Sequence, residues 1–262
     1  EMEAKTGIVS PRLRPDVGIL DPRSLRTLHP MIRAANGFDV FSHACESLTA
    51  RPFTERKAPG HPLPRPLSQG ANPYSDISCL EAIKLIGSNL IRGVHDPKDE
   101  HLESLMFAGM LAGIGFGNAG CHLPHGMSYA VAGLCREYQP EGWSTDHPLV
   151  PHGISVIVNS PSVFRFTGGA CVQRHFRAAE AMGADSDGLM DEESGDLLAN
   201  QLIRMMKETG IPNGLEGVGY TRDDLNPLTD RAFAQKRLID NAPCSVSRDQ
   251  LKALFESSLS YW

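Results

Sequence analysis

Past Pro22 the apolar residues recur at three- and four-residue intervals, and this helical period restricts the fold more than any other feature of the sequence. Met31 to Ala50 carries the spacing with Gly37 tolerated near its middle. Asp76 to Val94 and Glu100 to Phe116 predict two long amphipathic helices, the second running into GIGFGNAGC, where small residues allow close backbone approach. A further helix is predicted from His125 to Leu134, and another opens at Pro151-His152, because proline suits a first helical turn. Ala170 to Met182, Gly195 to Glu208, Arg222 to Leu225 and Arg248 to Ser258 read as surface helices or helical turns, with Thr221 and Ser247 as caps. Arg51 to Pro73 holds six prolines and two glycines, too many breakers for regular structure, and Arg136 to Val150 reads as a polar loop. The predicted class is all-α.

Only the opening departs from this pattern. Gly7–Ser10 and Val17–Leu20 read as one or two short strands ending at Asp21-Pro22. Two isolated strands do not make a stable sheet, so they read as the trailing edge of a structure lying upstream. The expected organisation is a strand remnant and linker over 1–22, then one helical domain over 23–262. With 262 residues the chain can bury a sizeable core without cross-links. Lys plus Arg is 25 against 31 for Asp plus Glu, a net charge of −6 that argues against a nucleic-acid partner. No run approaches the ~18 apolar residues of a membrane span, and the first residues have no apolar signal core. Six cysteines without a C-x-x-C pair predict buried free thiols rather than a disulfide framework, which suits a reducing compartment.

The chemistry-bearing residues are histidines. Four of the ten lie between 122 and 152. In FDVFSHACES, Asp39 and His43 are four residues apart on a predicted helix, so both project from one face and can chelate a cation. Taken alone, an ordinary Asp–His pair on a solvated face fits the spacing as well. His125 and His152 each precede a glycine and an apolar helix. A buried imidazole needs partners for its ring nitrogens or incurs ~1–3 kcal/mol of desolvation, and one metal can satisfy several at once. Three imidazoles and a carboxylate suit Fe(II), Zn(II) or a similar ion rather than Mg or Ca. His122 competes for the ligand role, but Pro124 places it outside the helix as a supporting residue. Cys45 and Cys121 read as small core residues. The glycines of GIGFGNAG follow a helix and so lack the strand–turn–helix context of a dinucleotide fingerprint.

D-x-x-x-H on one helix, then H-G-M, then P-H-G before a helix resembles the iron-containing (group III) alcohol dehydrogenases, with their dehydroquinate synthase-like fold. The resemblance runs from the IVS…GILDP entry to LFESSLSYW. It implies the C-terminal helical half of such an enzyme, with Asp39, His43, His125 and His152 as ligands of Fe(II) or Zn(II). It also implies a divalent metal polarising an alcohol oxygen for hydride transfer to NAD, which an absent N-terminal α/β domain would bind. Many members carry a second histidine four residues after the H-G-M histidine, a proposed proton carrier; here that position is Tyr129. A tyrosine in that role needs help from the metal, because a phenol is a weaker acid than an imidazolium. The long segment CREYQPEGWSTDHPLVPHG and the Pro-rich RPLSQGANPYSDI look like the hydroxyacid-oxoacid transhydrogenase branch. That branch oxidises 4-hydroxybutyrate to succinic semialdehyde while reducing 2-oxoglutarate to 2-hydroxyglutarate. The alternatives are an NAD-dependent alcohol dehydrogenase of the same family, acting on a simple alcohol, and a catalytically silent helical metal-binding piece. The expected location is cytoplasmic, or mitochondrial where a transit peptide precedes the chain. Apolar surface left by the absent domain predicts homodimerisation.

Overall fold

Helix α1 (Pro30–Thr49) starts where the sequence says a helix can start: Pro30 occupies the first turn, and His29 Nδ1 accepts from the Met31 N–H at 3.2 Å. The computed structural model describes residues 10–13, 15–61, 63 and 65–262. Far from lying on the surface, α1 is the hub of the molecule. It buries Phe38, Phe41, Cys45 and Leu48 and packs against α2 (Pro73–His95), α3 (Asp99–Ala119) and α5 (His152–Ile157). Asn72 caps α2 by accepting the Ser75 N–H at 3.0 Å, and three residues turn the chain from α2 into α3. Short connections of this kind make helix neighbours.

Beyond α4 (Leu123–Gly133) and α5, the chain adds α6 (Ser160–Thr167), α7 (Val172–Ala181), α8 (Ser194–Thr209), α9 (Leu225–Phe233), α10 (Lys236–Ile239) and α11 (Arg248–Ser257). α8 packs on α6 and α7, and α9 packs on α4 and α11, while α4, α5 and α7 bring the second half against α1. Arg174 links the halves. It donates to both oxygens of Asp76 at 2.7 and 2.9 Å and to the Leu48 carbonyl at the end of α1.

The all-α class is observed, and no strand or sheet occurs among the described residues. The predicted strand at Val17–Leu20 is corrected: the segment is irregular, because a strand needs a neighbour to pair with and none is adjacent among the described residues. Gly7, Ile8 and Val9 of the other predicted strand lie outside the described residues. Among its described residues, the breaker-rich loop contains a short 3-10 helix, Phe53–Glu55, and a bridge between Pro52 and Ala71. The helix opening at His152 stops at Ile157, because Pro161 starts a new one. Arg222 to Leu225 is the start of a longer element, a turn over Arg222–Asp224 that runs on into α9 through Pro227. Pro227 sits in the first turn of α9, where its missing N–H costs no intrahelical bond. GIGFGNAG forms the last turns of α3. All six cysteines are free thiols, with Cys45, Cys79 and Cys121 buried. No single helix among the described residues is long and apolar enough to cross a membrane.

Candidate metal centre

Three helices converge at one point. α1 contributes Asp39 and His43, one turn apart; α4 contributes His125 from its first turn, and α5 contributes His152 as its first residue. One ligand-capable atom of each lies within 4.8 Å of the others. Asp39 Oδ1 is 3.8 Å from His43 Nδ1, 3.5 Å from His125 Nε2 and 3.7 Å from His152 Nε2. These separations are long for hydrogen bonds. Ligands sharing a tetrahedral ion at ~2.1 Å stand about 3.4 Å apart, close to what is seen. Asp39 Oδ1 and His125 Nε2 are both buried without a hydrogen-bond partner. Orphans of this kind are costly in a native interior, and a cation between them would remove the cost. The donor set therefore fits a divalent first-row ion.

The electrostatics agree. Burial pushes the Asp39 carboxyl up, but the imidazoles of His43, His125 and His152 outweigh it and hold the group well below the usual carboxylate range. Burial, helped by His125 nearby, lowers His43 to about 4, so its ring is neutral and a lone pair is available near pH 7. His125 goes the other way: burial lowers it, yet Cys121, Glu46 and Asp39 together raise it.

The surroundings of the cluster are equally specific. The Phe116 ring stacks on His43 with centroids 4.4 Å apart, and His43 in turn lies 4.5 Å from the His125 ring. On the other side a cleft of 540 Å³ opens, lined by Asn36, Asp39, Trp143, Leu149 and His152, within the size range of small-molecule sites. Gly153 brings α5 against α1, since a Cβ there would lie 1.9 Å from the Ala35 carbonyl oxygen.

Sequence reasoning brought forward four ligand candidates, and the structure brings those four together. His122 stands apart: fully buried, it pairs through Nε2 with Thr49 Oγ1 at 3.0 Å. Tyr129 lies on α4 one turn beyond His125 and is half-buried. Arg56 of the Pro-rich loop bonds the Asn241 side chain rather than lining the cleft. Two residues were missed, Phe116 and Glu46. Glu46 is completely buried, and its Oε1 lies 2.6 Å from His125 Nδ1. The signal for Glu46 was present: Asp39, His43 and Glu46 stand at i, i+4 and i+7 on one helix face. Phe116 had no comparable signal, because its contact depends on how α3 crosses α1.

Comparison with known proteins places the chain in a family. Residues 65–259 match the Fe-containing alcohol dehydrogenase family, C-terminal, and the chain belongs to that family. Among its relatives, the mitochondrial hydroxyacid-oxoacid transhydrogenase of Xenopus laevis is 40% identical over the whole chain, which covers 57% of that protein. The Homo sapiens protein of the same name is 42% identical, with 56% of its length covered. The chain thus spans little more than half the length of these relatives. Among solved structures, an archaeal halo-thermophilic alcohol dehydrogenase from a Red Sea brine pool shares the fold at a TM-score of 0.80 and 22% identity. The matched region is 98% of this chain and 58% of that one. 1,3-Propanediol oxidoreductase matches at a TM-score of 0.76 and 24% identity, over 91% of this chain and 54% of that one.

Proposed function

We propose that this chain is the metal-holding half of a hydroxyacid-oxoacid transhydrogenase, working with an NAD-binding domain of the kind its longer relatives have room for. The observation that carries the metal role is the convergence of Asp39, His43, His125 and His152 with two of their atoms left unbonded. The reaction is carried over from the relatives' name, and their mitochondrial location comes with it as part of the proposal. The substrates proposed are 4-hydroxybutyrate and 2-oxoglutarate. A bound Fe(II) or Zn(II) supplies Lewis acidity toward the substrate's hydroxyl or carbonyl oxygen.

The chain's own residues do the rest. Asp39 offsets part of the ion's charge, while three neutral imidazoles hold the ion without adding more. His152, on the cleft side and the most exposed of the three, marks where substrate approaches. Trp143 and Leu149 form an apolar wall that excludes water from the reacting atoms. Tyr129 is the proposed proton carrier. The companion domain would cover the apolar face around the exposed Val17 and Ile19 and the 520 Å³ cleft lined by Leu25, Leu28, Val40 and Met106.

The test is elemental analysis of the purified chain beside Asp39→Ala and His43→Ala variants. About one iron or zinc per chain, lost in both variants, is the expected result; equal metal in all three would refute the ligand set. In the full-length protein, turnover of 4-hydroxybutyrate only when 2-oxoglutarate is supplied identifies the transhydrogenase. Turnover with free NAD alone would identify a simple alcohol dehydrogenase instead.

A further inference from the structure

Nothing in the chemistry above uses Glu46, yet this fully buried carboxylate is saturated with donors. Its Oε1 is 2.6 Å from His125 Nδ1. Its Oε2 accepts the backbone N–H of His122 at 2.7 Å and that of His125 at 3.4 Å. Three N–H groups at the start of α4 thus meet two oxygens of one side chain on α1.

A metal-bound His125 is neutral, and a neutral imidazole has one N–H and one nitrogen with a free lone pair for the ion. Glu46, an acceptor only, takes the proton-bearing nitrogen as Nδ1 and leaves the Nε2 lone pair facing Asp39 Oδ1, 3.5 Å away. We propose that Glu46 is a positioning residue: it fixes the metal-binding tautomer of His125 and ties the first turn of α4 to α1 at the register the four-ligand site needs. This rests on the reading of Asp39, His43, His125 and His152 as ligands. Glu46, Cys121 and His125 also lie close enough together to suggest a second metal site. The 2.6 Å Glu46–His125 contact rules that out, since it is a hydrogen bond and shorter than the ~3.4 Å between ligands of one tetrahedral ion.

Only a carboxylate can serve here. Glutamine would turn its NH₂ either toward His125 Nδ1–H or toward the two backbone N–H groups, setting donor against donor on one side. Aspartate is one methylene too short to reach from α1. Glu46 also places a second negative charge across the His125 ring from Asp39, so the two together would balance a divalent ion.

The experiment uses the 262-residue chain loaded with zinc, comparing wild type, Glu46→Gln and Asp39→Ala. Nitrogen-15 NMR of the His125 ring reports which nitrogen carries the proton, and competition with a chelator reports zinc affinity. The expected wild-type signature is a slowly exchanging Nδ1–H on His125. Glu46→Gln should lose it and bind zinc about 10- to 100-fold more weakly, the usual cost of removing an orienting partner. A wild-type His125 protonated on Nε2 overturns the proposal, and this reading needs no variant to fold. Zinc affinity unchanged in Glu46→Gln but lost in Asp39→Ala also overturns it, while leaving the ligand set standing. Affinity unchanged in Asp39→Ala would instead overturn the ligand set itself.

Discussion

Gly153 offers the sharpest test of how packing sets the proposed metal site. In Gly153→Ala the new Cβ would stand 1.9 Å from the Ala35 carbonyl oxygen and 2.6 Å from its carbon. Both are backbone atoms of α1, so no side chain can rotate away. Reaching the 3.0 Å that real Cβ contacts respect requires α5 to retreat from α1 by at least about 1.1 Å. Overpacking against atoms that cannot yield costs about 3 kcal/mol, and the better helix propensity of alanine returns only about 1 kcal/mol. The net loss of about 2 kcal/mol lowers the melting temperature by roughly 4–8 °C for a chain of this size. His152 moves with α5, so it leaves its place 3.7 Å from Asp39. A misplacement of ~1 Å at a preorganised site can cost 10²-fold, and zinc affinity should fall by about that order. Gly126→Ala is the control: it also follows a ligand histidine, but its Cβ would meet only side-chain atoms of Ile239 and Leu238, at 3.2 and 3.4 Å. It should be neutral or slightly stabilising. The assay is thermal unfolding with and without zinc, together with chelator competition. A Gly153→Ala protein that melts within about 1 °C of wild type and binds zinc normally refutes the reasoning.

Three further outcomes are expected. Arg174→Met removes the bridge from α7 to Asp76 and Leu48 and leaves a half-buried carboxylate unpaired, so urea denaturation should show a loss of about 2 kcal/mol; an unchanged midpoint means the bridge is idle. Burial lowers His175 to about 4 while its unfolded value is near 6.5, so the unfolded chain binds the extra proton between these limits. Stability should therefore fall as pH drops from 6.5 toward 4, by up to about 3 kcal/mol from this residue, and His175→Gln should flatten the slope; an equally steep slope in the variant would refute it. Tyr129→Phe in the full-length protein should keep zinc affinity and lower turnover by about 10²-fold or more if Tyr129 moves the proton, whereas full turnover removes it from the mechanism.

What the sequence revealed and what it withheld follow the reach of the forces involved. α2 and α3 were readable to within a few residues because each is long and apolar at helical spacing; Asn72 caps α2, whereas α3 has no side-chain cap at its start. The start of α11 was readable at Ser247, whose hydroxyl accepts the Gln250 N–H at 3.2 Å. The central position of α1 was not, because a helix buried on several faces loses the polar stripe that reveals orientation. α9 was read only as far as Leu225, although Pro227 is compatible with a first helical turn and the helix continues to Phe233. Val17–Leu20 has strand-like residues, but β propensity expresses itself only against a partner. At the site, Asp39 and His43 were found through local spacing. Placing His125 and His152 beside them took the family resemblance, since no periodicity links residues on separate helices. Glu46 was within reach of the same helical arithmetic, and Phe116 was not.

The proposed ligand set has a consequence for the chain as a polymer. An ion held by α1, α4 and α5 would close one loop of about 80 residues and another of nearly 30. In a chain whose six cysteines remain unlinked, such an ion would act as a removable rivet, stabilising the folded chain because it binds that state and not the unfolded one. Stripping the ion would then loosen the whole helical body, and resistance to proteolysis would rise and fall with metal supply.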